Sequence, residues 1–218
     1  MARLSGGQAV AQALRAEGIE VAFGIVGTHN VQIFDGLYDV PELRVVTTRH
    51  EQGAGFMADG YARATGRIAA CVVVPGPGLT NVLTPLGQAY SDSVPMIAIT
   101  GQNPTSRLDR GLEDFHELRD SVRVAATVTA SAARVASAAD VPRAIREAIR
   151  IMRSGRPRPT FLEVPMDILG GEEEVELLPP VEDYPRPAGS PAAIERAAGL
   201  LSAARRPMIL AGGGVISA

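Results

Sequence analysis

His50 and Glu51 stand together where a β-branched run, Val45-Val46-Thr47-Thr48, gives way to a helical stretch carrying Gly53, Gly55 and Gly60. A carboxylate at such a junction can share a proton with a heterocyclic nitrogen if its geometry is held. It can also do no more than complement the partial positive charge of a helix N-terminus, worth about 0.3–1 kcal/mol. Other features favour the chemical role. The preceding strand reads as buried on both faces, His50 is adjacent, and the first turn after Glu51 is stripped of side chains at Gly53 and Gly55. Each helix-interior glycine costs about 1 kcal/mol relative to alanine. That weakness becomes useful where another backbone or a flat ligand must come close.

The remaining reactive residues narrow the chemistry. "PGPGLTN" (75–81) reads as G-x-G-x-x-N, a dinucleotide fingerprint without its third small residue, and no acidic residue ends the next strand to hold a ribose. A tight turn holding Asn81 at the mouth of a site fits better. His29, His50 and His116 have no zinc-type spacing, and the single cysteine, Cys71, lies in the apolar run "AACVVV" as a buried free thiol. No G-x-S-x-G elbow is present. Tyr61 and Met57 read as packing residues, and Gln102 in "TGQNP" suits a turn and a ligand contact equally.

The elements that must position these groups alternate along the chain. Helical periodicity covers 5–17, with Gly18 as its stop, then 31–39, 51–65, 80–91 and 138–153. Short apolar strands fall at 20–27, 43–48, 68–74, 96–100, within 127–135, and at 160–165. The pattern is an α/β domain over 1–170: an open parallel sheet with helices on both faces. "GIVGTHN", "TTRHEQ", "VVPGPGLTN" and "AITGQN" gather at the strand C-termini, the edge where such sheets bind ligands. Residues 171–190, rich in Glu and Pro, read as an extended linker. The stretch 191–218, with a helix to about 204 and a strand at 207–213, reads as the cut-short beginning of a second α/β domain.

Composition excludes several classes. The 218 residues are 46% hydrophobic and 21% charged, with net charge -3, no Trp and no long basic run. Nucleic acid and anionic membranes therefore find no electrostatic footprint. "MARLSGGQAV" has no apolar signal core and no stretch approaches a membrane span, so a cytoplasmic location is the expectation.

In "FGIVG", "RHEQGAGFMADGYARATGR", "GPGLTN", "AYSDSVPMIAITGQ" and "FHE" the chain resembles the N-terminal, pyrimidine-binding domain of thiamine-diphosphate enzymes of the acetolactate synthase-like family. "RRPMILAGGGV" is similar to the opening of that family's central domain. The resemblance implies decarboxylation and carboligation of a 2-oxo acid. The glutamate matching Glu51 would hydrogen-bond the cofactor's aminopyrimidine and favour the imino tautomer that deprotonates the thiazolium carbon. Ile25, Val26, Gly27, Val74, Pro77 and Asn81 match the residues around the aminopyrimidine, while Phe115 and His116 match a loop on the substrate side, which Gln102 would join. His116 would then count with Glu51 among the catalytic groups, donating or accepting a proton.

The same resemblance implies a homodimer or tetramer with the cofactor between subunits. It places magnesium and diphosphate ligands outside these residues, so the chain alone would bind thiamine diphosphate weakly and not turn over. Whether the second domain would hold FAD is left open. Val26 stands where the family usually has Pro, and His116 where it usually has Gln. Those departures keep alive a 2-oxo acid decarboxylase without carboligation, and beside it a non-catalytic assembly module of the same fold.

Overall fold

Strand β4 (Ala69–Val73) shows how the sheet divides its core. All of it is buried, with Ala70 and Val72 in the hydrophobic cluster on one face and Ala69, Cys71 and Val73 in the cluster on the other. The two-residue period of a strand imposes that division. Strands β2 (Val21–Gly24), β5 (Met96–Gln102) and β7 (Thr160–Pro165) are buried along their whole length in the same manner. The computed structural model describes residues 1–181 and 183–217. It resolves into two units, Met1–Pro185 and Arg186–Ala218.

The first unit is built on a parallel sheet of six strands in the order β3-β2-β4-β5-β7-β6, with β3 (Arg44–Thr47) and β6 (Ser131–Arg134) at the edges. Helices α1 (Gly6–Ala16), α2 (Val31–Tyr38) and α6 (Val141–Ser154) supply the cluster on one face. Helices α3 (Glu51–Thr65), α4 (Pro77–Asp92) and α5 (Ser121–Ala126) supply the other. From β2 the chain steps outward to β3, then returns to place β4 on the other side of β2. The loops after β2 and β4 therefore diverge at a topological switch point, where open α/β sheets leave a crevice.

Local chemistry sets several boundaries. Ser5 and Gln8 form a reciprocal capping box at the start of α1, and Gly18 beyond its end takes φ 75°. The parallel α/β reading holds, with three differences of detail. β3 is an exposed edge strand rather than one buried on both faces, because a β-branched run suits an edge as well as a centre. α4 starts at Pro77, not near 80, since a proline at the first helical position is already set to helical φ. And the stretch that reads as a linker contributes β8 (Glu172–Val175), paired antiparallel with β1 (Ala2–Ser5).

The chain beyond β8 stays attached to the first unit as far as Tyr184. The Tyr184 hydroxyl donates to Glu17, which also accepts from Arg146 Nε at 2.7 Å, and Arg153 lies 5.5 Å from the Tyr184 ring. Burial, then the Glu17 carboxylate, push the phenol up to about 12. Tyr184→Phe should destabilise the chain by about 1–2 kcal/mol, measured by urea unfolding. A free linker would show no change.

In the second unit, α8 (Pro191–Ala203) follows Ser190 as its N-cap. Among the described residues 207–213 form no strand. A strand needs an edge to pair with, and this unit has no other extended partner. No helix among the described residues is long and apolar enough to cross a membrane.

Candidate active site

The opening pair separates into two jobs. His50 is the N-cap of α3, its exposed ring accepting from the Gln52 backbone N–H at 3.1 Å through Nδ1. Glu51 is the first helical residue and half-buried, and its Oε2 accepts from Asn81 Nδ2 at 3.0 Å. Asn81 lies in the second turn of α4, so the carboxylate is held near the positive ends of two helices at once. Its charge reaches into the sheet: with burial as the larger cause, Glu51 helps push the Cys71 thiol up to about 12, leaving an inert free thiol.

The glycines of α3 also separate. A Cβ on Gly55 would meet Pro85 at 2.3 Å, so that glycine lets α3 lie close on α4 within the chain. Gly53 and Gly60 face open space, on a helix that also exposes Phe56 and Met57. The close approach expected of all three glycines by an outside group is thus available at two of them.

Beside Glu51, the loop after β2 is folded back on itself by Asn30. This fully buried side chain accepts from Gly27 N at 2.8 Å and donates to the Ile25 carbonyl at 3.1 Å. A Cβ on Gly27 would lie 2.5 Å from Val74 Cγ1, and one on Gly78 would lie 2.7 Å from Val74 Cγ2 and 3.6 Å from Glu51 Oε1. Val74 is thereby flanked by two residues without side chains, directly next to the carboxylate. Ile25, Val26 and Gly27 follow β2, while Val74, Pro77 and Asn81 follow β4, on the two segments that diverge at the switch point, with Val26 half-exposed. Asn30→Ala would strand two backbone groups and should cost about 2–3 kcal/mol. Thermal unfolding checks the cost, and hydrogen exchange at Gly27 checks its location.

Phe115 and His116 come to the same edge on the segment after β5, their rings 3.9 Å apart between centroids. Burial, then His29, lower the His116 pKa, while Glu51 opposes them. His116 is therefore neutral near pH 7. Protonating it favours the unfolded chain, so its contribution to stability is whole above about pH 6.5 and drains as the pH falls toward the depressed folded value.

Gln102 is turned elsewhere. Its Nε2 donates to Glu163 at 2.9 Å and to Ser121 at 3.2 Å, and its Oε1 accepts from Asn103 N at 2.8 Å. Every polar atom of its amide is engaged inside the domain, supporting the loop beneath Phe115. Asn30, Asn103 and Glu163 were not legible as parts of this arrangement, although the Gly27-to-Asn30 spacing is that of a local side-chain turn. Among the described residues no group of acidic, His and Cys side chains is placed to hold a metal ion.

Residues 4–124 match the family described as thiamine pyrophosphate enzyme, N-terminal TPP binding domain. The chain belongs to that family. It is 42% identical to a probable 2-ketoarginine decarboxylase of Pseudomonas aeruginosa, over 99% of this chain and 38% of that protein. It is 40% identical to an acetolactate synthase of Mycobacterium bovis, over 98% of this chain and 35% of that protein. With the large subunit of acetolactate synthase isozyme 1 of Escherichia coli the identity is 37%, over 99% and 38% respectively. The chain thus spans little more than a third of the length of these relatives. What these residues offer the aminopyrimidine end of thiamine diphosphate is a half-buried carboxylate anchored through one oxygen, beside a wall where Gly27 and Gly78 close on the Val74 side chain.

Proposed function

We propose that this chain is the carboxylate-bearing half of a thiamine-diphosphate site that decarboxylates a 2-oxo acid and transfers the remaining fragment to a second carbonyl compound. The observation that supports it best is the anchoring of Glu51 by Asn81 at the switch point, next to the bare backbone of Gly78. When bound, the cofactor supplies the carbon nucleophile and the electron sink. Glu51 holds a proton in common with the aminopyrimidine ring. Ile25, Val26, Gly27, Val74 and Pro77 would line that ring. Phe115 and His116 face the substrate, with His116 neutral and able to accept a proton or give one up.

In this reading diphosphate and magnesium would be held by residues outside this chain, as the family resemblance implies. A second copy completes the site in this reading. The open face of α3, with Gly53, Gly60 and exposed Phe56 and Met57, supports that arrangement. A homodimer or tetramer and a cytoplasmic location go with it. Calorimetry on the chain alone should show weak thiamine diphosphate binding, and assays should show no turnover. Submicromolar affinity would overturn the shared-site reading.

Decarboxylation without carboligation is the second reading. It is favoured by His116 in place of the usual glutamine and by the similarity to a probable 2-ketoarginine decarboxylase. Product analysis of the holoenzyme with pyruvate and with 2-ketoarginine separates the two: an acetolactate-type product supports the first, an aldehyde alone the second.

A further inference from the structure

His29 is not among the site residues assigned above, yet the residue is only 3% exposed and its ring lies against those of Phe115 and His116. Its ring stacks on Phe115 at 5.8 Å and on His116 at 5.4 Å, with interplanar angles of 22° and 24°. Asn103 latches it from behind, Oδ1 lying 3.1 Å from His29 Nε2. The orientation of that amide follows from its other end, where Nδ2 donates to the Phe115 carbonyl at 3.2 Å. Nε2 of His29 therefore carries the proton and its buried Nδ1 is an acceptor; neither that atom nor Nδ1 of His116 has a partner among the described residues.

The backbones are braced as firmly as the rings. A Cβ on Gly101 would stand 1.6 Å from the His29 carbonyl oxygen, and one on Gly76 would stand 2.6 Å from that of His116. His116 itself sits at φ 65°, a left-handed conformation that a non-glycine residue keeps only when its surroundings hold it there. Two polar rings stacked together, each with a buried nitrogen unpaired among the described residues, is a costly arrangement for packing alone.

We propose that His29 is a positioning residue for His116: stacked on it and latched by Asn103, it fixes the His116 ring at the crevice beside Glu51. This rests on the reading that His116 faces the substrate. The groups whose charge acts on His116 are His29, from the loop after β2, and Glu51, from the start of α3. On its own segment, Asp114 is paired with Arg107, and Glu117 accepts from the Asp114 backbone. Burial and the neighbouring His29 therefore disfavour a proton on His116, and its ring stays available as an acceptor near neutral pH.

The test uses the three imidazole signals of the histidine-labelled chain. Contacts between the His29 and His116 ring protons are expected by nuclear Overhauser spectroscopy. His29→Phe keeps a ring but loses the charge, and should raise the His116 titration midpoint by about 0.5 pH or more with the stack retained. His29→Gln keeps a donor for Asn103 but loses the ring, and should release His116 from the ring currents it feels. In the holoenzyme, His29→Phe should move the acidic limb of the kcat/KM profile upward. Absent ring contacts, or contacts with an unmoved midpoint and profile in both variants, overturn the proposal. If neither variant folds, the unsubstituted chain decides: a His116 midpoint below the ordinary histidine value, with ring contacts to His29, supports the coupling, and an unshifted midpoint refutes it. His116→Gln with unchanged turnover would instead remove the substrate-side reading, while leaving the measured coupling intact.

Discussion

Glu51→Gln in the assembled holoenzyme is expected to lower kcat by about 100-fold or more, with the fold retained. Glutamine has nearly the same shape, and its carbonyl oxygen can still accept from Asn81 Nδ2, the contact that anchors the carboxylate at 3.0 Å. What it removes is the charge, and with it the capacity to share a proton with a ring nitrogen. The helix also loses a favourable terminal charge worth about 0.3–1 kcal/mol, so melting should fall by a few degrees at most. Large catalytic loss with intact melting distinguishes the enzyme reading from an assembly module, for which the same substitution would be silent. Activity within about twofold of the parent would end the catalytic assignment, since acid–base groups contribute far more than that.

Glu163→Ala should destabilise the first unit by about 3–5 kcal/mol. The Glu163 side chain is wholly buried on β7, where Oε1 accepts from Arg134 Nε at 2.6 Å and Oε2 from Gln102 at 2.9 Å and from Ser121. Truncation leaves those donors unsatisfied, and Arg134 keeps only its exposed partner, Asp109, at 2.8 Å. The damage should travel, because Gln102 holds the Asn103 backbone and Asn103 holds both His29 and Phe115. Urea unfolding gives the energy, and the aromatic signals of Phe115 and His116 report the loss of order. Adding Arg134→Met should restore part of the stability, since a partly buried guanidinium that has lost its buried partner costs more than an absent pair. A loss below about 1 kcal/mol would show that water replaces the carboxylate there.

The parts of the fold that could be read from the residues are those set by short-range order. Helix α3 begins and ends where its pattern says, at Glu51 and at Gly66 with φ 71° beyond its last turn. The fully apolar run at 68–74 and the run at 160–165, apolar but for Thr160 and Glu163, are interior strands. The failures are non-local. Strand β8 is three glutamates and a valine, with no apolar alternation to announce it, and it exists because β1 is there to pair with. Whether β3 lies at an edge or in the centre depends on strand order, which its own β-branched residues do not encode.

The residue types at the crevice, the carboxylate after a strand, the glycines around it and the order of the blocks, were set by the sequence alone, because turn and helix-start preferences act over a few neighbours. Which of those residues meet was decided by the tertiary structure. Glu51 and Asn81 are 30 positions apart, His29 and Asn103 are 74 apart, and Gln102 and Glu163 are 61 apart. No local rule links such pairs. Only the adjacency of β2, β4, β5 and β7 in one parallel sheet places them within a hydrogen bond's length, and that turned Gln102 inward and brought His29 beside His116.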